Sequence, residues 1–218
     1  MLESLFDPDE VIVAAQDSAE RDDLWGTWWQ PTLERLCASI AAEAGLYPAR
    51  AWRIARWLIE LLETRARIAD HLDGRGDAVA PSTIARPIII TGLPRTGTTL
   101  LHNLLAGLPG LRAYTPWEMR AIVPEADAGP SWREEVRADT AAEIRALHER
   151  APQLARIHPI NADAPDECHW LTRHSFASLI FGYTLAVPGF VRWLVDAPRP
   201  EVYAEHRIQL EILGARDD

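Results

Sequence analysis

Residues 86–106 read RPIIITGLPRTGTTLLHNLLA, and the fold class follows from how this stretch divides. Ile88, Ile89 and Ile90 stand together between Pro87 and Thr91, a β-branched run bounded by turn formers, which fits a short buried strand. The run passes directly into Gly92-Leu93-Pro94-Arg95-Thr96-Gly97-Thr98-Thr99, and Leu100, Leu101, Leu104, Leu105 and Leu108 then recur with helical spacing. Strand, glycine-containing turn and helix, in that order, aim backbone N–H groups and a helix N-terminus at one place, where a phosphate is held. The plainer reading of the same residues is a strand, turn and helix whose glycines serve only the turn.

The spacing Gly92-x4-Gly97 suggests a nucleoside triphosphate loop, but that loop needs lysine after its second glycine, and Thr98 stands there. No lysine elsewhere can substitute, because all 22 basic residues are arginine. The cation comes instead from Arg95, inside the turn. In this respect GLPRTGTTLL resembles the phosphosulfate-binding loop of the sulfotransferases, which use 3′-phosphoadenosine-5′-phosphosulfate (PAPS). The likeness is to a bacterial group of these enzymes and, in the arginine of the loop, to the protein-tyrosine sulfotransferases. It implies an α/β fold with a parallel sheet wrapped by helices. It also implies a PAPS site formed by Arg95, Thr96, Gly97, Thr98 and Thr99, with Arg95 offsetting charge on the leaving phosphate, and no metal.

Beyond the loop, Thr115, Pro116 and Glu118 fall at the N-cap, first and third positions of a further helix, a capping-box pattern. The resemblance gives Glu118 a second role. Protein-tyrosine sulfotransferases carry Glu-x-Arg at about this distance after the loop, and that glutamate is the general base that sulfuryl transfer to a hydroxyl requires. Arg120, two residues on, is then a candidate for orienting the acceptor. Related bacterial sequences also carry a Pro-x-Glu-Cys segment like Pro165–Cys168, which makes Glu167 and His169 candidates for the acceptor site. Cys168 beside His169 invites a metal reading, but adjacent residues point apart on a helix and His174 lies off a common face with His169.

The composition sets outer bounds. A net charge of −10 argues against a nucleic-acid partner, since phosphate contacts need clustered cations. Cys37 and Cys168 have no zinc spacing, and the acidic start MLESLFDPDE is unlike a signal peptide, so reduced thiols in a cytoplasmic protein are expected. Phe176–Val191 is uncharged but broken by Gly182, Pro188 and Gly189 and too short to span a bilayer, leaving core or pocket wall.

Residues 1–80 read as a helical amino-terminal region. Leu33, Leu36, Cys37, Ile40, Ala41 and Ala44 share one face up to a stop at Gly45, and a longer helix from about Ala49 to Leu72 places Glu63 and Arg67 as an outer pair. The tryptophans concentrated there are read as packing. Residues 73–85 read as a loop, its Arg75-Gly76-Asp77 as a turn. Ser131 and Glu134 suggest a second capping box opening a charged helix to about Glu149, residues 151–165 an irregular stretch, and 165–167 the first turn of another helix. Helices are expected again at 188–196 and 199–214.

Residues 81–218 then resemble only the amino-terminal half of a sulfotransferase domain. One strand is legible, and the family's 3′-phosphate-binding Arg and Ser follow a later strand than any seen here, so a truncated chain is the expectation. Three functions remain open: sulfuryl transfer from PAPS to a hydroxyl of a small-molecule or lipid acceptor, a P-loop kinase or nucleoside triphosphatase, and an inactive fragment.

Overall fold

The computed structural model describes residues 4–75, 84, 86–93, 96–125, 127–196 and 199–215. Gly76 and Asp77 of the predicted turn, and Arg95 of the loop, lie outside the described residues. The helices in chain order are α1 (Pro8–Ala19), α2 (Gln30–Glu43), α3 (Pro48–Arg75), α4 (Thr98–Ala106), α5 (Pro116–Arg120), α6 (Trp132–Arg150), α7 (Pro152–Ile157), α8 (His169–Thr172), α9 (Ile180–Thr184), α10 (Pro188–Asp196) and α11 (Pro200–Gly214). Packing divides the chain into one unit of residues 1–80 with 171–210 and another of residues 81–170 with 211–218.

The first unit follows from its apolar periodicity. Asp7 caps α1 by accepting from the Asp9 N–H at 3.0 Å, and Pro8 stands at the first helical turn, where its missing N–H costs nothing. Val11 and Ala15 of α1, Leu33, Leu36, Cys37 and Ile40 of α2, and Leu58, Leu61 and Leu62 of α3 form one apolar cluster. Each fully buried leucine contributes about 1.5–3 kcal/mol relative to an exposed one. Phe176, Phe181 and Phe190 complete the cluster, with Trp29 5.7 Å from Phe176 and Trp57 5.0 Å from Phe181 between ring centres. Phe176, Phe181, Leu185, Val187 and Phe190 of the uncharged 176–191 stretch are therefore core, whereas Leu179 and Tyr183 are exposed.

Arg65, with no exposed surface, is fixed at the centre of this unit. Its guanidinium donates to both Glu205 carboxylate oxygens at 2.7 Å and to the Leu24, Trp25 and His174 carbonyls, and it lies 5.1 Å from the ring centres of Trp25 and Trp29. Those tryptophans are packing, as their clustering suggested. Glu63 departs from the sequence reading: it is buried and accepts from Arg56 at 3.0 Å and from Ser18 at 2.7 Å, while Arg67 donates to Thr64. The contact from α1 turns Glu63 inward, which spacing along α3 alone does not encode.

The second unit corrects the sequence reading at four places. Among the described residues there is no strand; Pro87–Leu93 runs without ladder partners, so the expected parallel sheet is not seen. A strand exists only through bonds to a neighbour, and the described residues offer this run none. Pro152–Ile157 is helix α7, because proline at the first turn starts a helix as readily as it ends one. Ser131 starts α6 without capping it; its hydroxyl donates to Glu135, not to a box with Glu134. The segment 165–168 is likewise non-helical, and α8 begins at His169.

Helix α4 has no buried residue at all. Leu100, Leu101, Leu104 and Leu108 are exposed, as are Ile88, Ile89 and Leu93 before it. Among the described residues no helix is long and apolar enough to cross a membrane, and no group of three or more His, Cys, Asp or Glu could hold a metal.

Candidate active site

The turn into α4 is drawn close by two glycines. A Cβ on Gly92 would stand 3.0 Å from Thr96 Oγ1 and 3.2 Å from Thr98 Cγ2, so only hydrogen fits without displacement. Thr96 is held in turn, donating from Oγ1 to the Leu93 carbonyl at 2.7 Å. Gly97 is the N-cap residue of α4 with φ 90° and ψ 13°, a left-handed conformation that a side chain resists, and open space surrounds its missing Cβ. Leu101 N–H bonds back to the Gly97 carbonyl at 3.0 Å, and the first N–H groups of any α-helix have no partner within the helix itself. A bare backbone turn feeding a helix N-terminus fits a phosphate or sulfate group, which both the N–H groups and the helix dipole favour.

Glu118 is largely buried and fully occupied on one oxygen. Its Oε2 accepts from the Thr115 backbone N–H and from the Thr115 hydroxyl, each at 2.8 Å, which closes the capping box. Its Oε1 accepts from Arg112, whose guanidinium also lies 4.6 Å from the Tyr114 ring centre. A carboxylate offers about four lone-pair positions, so three donors leave room for one more. Arg112 was not singled out from sequence; a partner six residues away across a turn has no periodic signature.

Arg120 forms an ion pair with Glu143 of α6 at 2.7 Å, which ties α5 to α6. Asp166 N–H donates to the Tyr114 carbonyl at 3.3 Å, which brings the segment carrying Glu167 and His169 beside the entry to α5. There His169 Nδ1 lies 3.2 Å from Glu167 Oε2. This contact holds the Glu167 carboxyl below its usual range, against the opposing effect of burial, with His158 and His102 adding to it. Asp166 accepts from the Trp170 indole at 3.1 Å and lies 3.8 Å from His158 Nε2.

Residues 87–210 match the family model Sulfotransfer_3, described as the sulfotransferase family. Among solved structures the chain is similar to sulfotransferase STF1 from Mycobacterium tuberculosis H37Rv, with 27% identity and a TM-score of 0.75 over 96% of this chain and 57% of that one. It shares its fold with sulfotransferase STF9 from Mycobacterium avium, at 22% identity and a TM-score of 0.76, over 95% of this chain and 53% of that one. The chain thus spans little more than half the length of either structure. No curated protein matches it.

Proposed function

Because the chain belongs to the sulfotransferase family, we propose that it carries the donor loop and the general base of a PAPS-dependent transfer to an acceptor hydroxyl. The observation that carries this is the pair of glycines before α4: a Cβ on Gly92 would press on the Thr96 and Thr98 side chains, and Gly97 at φ 90° leads directly into the N-terminus of α4. In this reading the amides and hydroxyls of Thr96, Gly97, Thr98 and Thr99 hold the phosphosulfate, and Arg95 offsets charge on the leaving phosphate. PAPS, when bound, supplies the sulfuryl group. Glu118 accepts the proton of the acceptor hydroxyl, with Arg112 and Thr115 fixing the carboxylate in place and one lone pair left for the acceptor. Glu167 and His169 border the acceptor, and Arg120 acts from α5 with its partner Glu143. The acceptor is a small-molecule or lipid alcohol, and the protein works in the cytoplasm.

A second reading is favoured by the exposure of Ile88, Ile89, Leu100 and Leu104. In it these residues bind the donor weakly or not at all, and turnover requires further sheet-forming polypeptide against this surface. Thermal denaturation with adenosine 3′,5′-bisphosphate, beside ATP with magnesium, separates the possibilities. A ligand specific to the folded state at about a hundred times its Kd adds about 2.7 kcal/mol, several degrees for a chain of this size. A shift with the bisphosphate alone supports the donor loop; a shift with magnesium ATP alone replaces it with a kinase or triphosphatase. With turnover in hand, Glu118→Gln keeps the capping-box oxygen but sets an amide NH2 against Arg112, so it should abolish transfer in a protein that still folds, with its melting temperature lowered by a few degrees.

A further inference from the structure

One face of the first unit is cationic and aromatic, in a chain whose net charge is −10. Residues 44–59 and 171–195 contain no aspartate or glutamate, and α3 and α9 bring the two stretches together. In the core Trp57 of α3 meets Phe181 of α9, and at the surface Arg50 of α3 donates to the Thr184 carbonyl of α9 at 2.8 Å. Around that surface contact Tyr47 is 57%, Trp52 63% and Tyr183 71% exposed, and Leu179, one turn before Tyr183, is exposed as well. Arg53 donates to the Tyr47 hydroxyl at 3.2 Å. Neither Arg50 nor Arg53 has a carboxylate partner among the described residues, unlike Arg56, which is held by Glu60 and Glu63.

From this we infer that the face docks on an anionic lipid surface, with the rings of Tyr47, Trp52 and Tyr183 at headgroup level and Arg50 and Arg53 against lipid phosphates. Tryptophan and tyrosine favour the membrane–water boundary because their bodies are apolar and their tips polar, and arginine near an anionic leaflet adds electrostatic attraction. A fluid headgroup layer accepts three rings that project from two elements, whereas a folded partner needs a matching pocket for each. The acids of α2 and α3 nearest in sequence leave the attraction in place. Glu43 turns its carboxylate to the Gly189 N–H at 2.8 Å, and Glu60 and Glu63 are taken by Arg56. Asp70 and Asp73 stand about 30 Å or more along α3 from Arg50, beyond a Debye length of about 8 Å at physiological salt. The inference concerns the first unit and stands whether or not the donor loop binds.

The test is co-sedimentation of the full chain with vesicles of phosphatidylcholine and phosphatidylserine at about 7:3, beside vesicles of phosphatidylcholine alone. The chain should bind the mixed vesicles at least about fivefold more tightly, and added salt should release it. Arg53→Glu and Trp52→Ser should each weaken binding at least about fivefold. Tyr203→Ser, at a comparably exposed ring on α11, and Leu100→Ser with Leu104→Ser, at the exposed leucines of the second unit, should bind as wild type. Trp52→Phe keeps an aromatic ring and should still bind, but lipid brominated on its acyl chains should quench its tryptophan fluorescence less than that of wild type, a readout that survives if the harsher variants fail to fold. Equal binding to both kinds of vesicle, loss of binding in the leucine variant but not at Trp52 and Arg53, or equal quenching in Trp52→Phe overturns the inference. Binding of polyglutamate that depends on Trp52 and Arg53, without vesicle binding, also overturns it and makes the face a dock for an acidic polypeptide.

Discussion

His174 shows how far a single side chain can depart from its solution behaviour in this protein. It is completely buried, its Nδ1 lies 3.0 Å from both the Leu171 carbonyl and Gln209 Oε1, and its Nε2 has no partner among the described residues. Burial first, and the positive charges of Arg173 and Arg65 after it, depress its pKa to about 3, although the Gln209 and Leu171 contacts oppose the shift. The unfolded chain binds this proton from about pH 6.5 downward and the folded chain does not. Stability from neutral His174 is therefore complete above pH 6.5 and is lost as pH falls toward 3. Near pH 5 the effect corresponds to about one proton taken up on unfolding, or about 1.4 kcal/mol per pH unit. His174→Gln should remove that proton: denaturant titrations between pH 6 and 4 should show the variant with the shallower slope. Parallel slopes would mean that His174 is already protonated in the native protein. Nothing in the sequence around His174 announces this, since Gln209 and Arg65 arrive from distant helices. Glu118 is the opposite case. Its capping box was legible because Thr115 and Glu118 meet within one turn, while Arg112, on the far side of the carboxylate, was not.

At the scale of elements, local chemistry was readable and facing was not. The Thr98 start of α4 and the Pro116 start of α5 follow from neighbours in sequence. The leucine repeat of α4 gave the helix correctly, but periodicity says only that one face is apolar; in the structure that face is exposed. The β-branched run at 88–90 has strand chemistry without a ladder among the described residues, because pairing depends on a partner that no local pattern supplies. Two glycines at the ends of α4 give a test of the turn. Gly97 has φ 90°, so alanine there is strained by about 1–2 kcal/mol even though open space surrounds it. Gly107 has φ −80°, and a Cβ there would meet the Leu104 carbonyl oxygen at an ordinary 3.6 Å. Gly97→Ala should lower the urea midpoint and weaken binding of adenosine 3′,5′-bisphosphate, whereas Gly107→Ala should be neutral or stabilising by up to about 1 kcal/mol. Equal effects at both sites would show that backbone conformation is not what the loop glycine provides.

For the molecule as a whole, the two units differ in how they dispose of apolar surface. The first unit gathers one buried aromatic and aliphatic cluster and pairs Arg65 with Glu205 across 140 positions in sequence, although Trp52, Tyr183 and Tyr203 stay exposed. The second leaves Ile89 81%, Leu93 77%, Leu100 66% and Leu104 62% exposed. An isolated exposed leucine is ordinary, but Leu100 and Leu104 are one turn apart on the same helix and follow an exposed isoleucine pair, the arrangement of a surface meant to be covered. If so, these side chains contribute nothing to the stability of the chain studied alone and oppose its solubility. The chain should increase 8-anilinonaphthalene-1-sulfonate fluorescence under native conditions and self-associate as its concentration rises. Leu100→Lys with Leu104→Lys should suppress both, while the melting temperature moves by no more than about 2 °C, because surface substitutions away from packed features fall within about 0.5 kcal/mol. A larger loss of melting temperature would show that α4 already packs its leucines in solution. The surface would then be part of a finished core, and the second reading of the function, in which further polypeptide covers it, would lose its support.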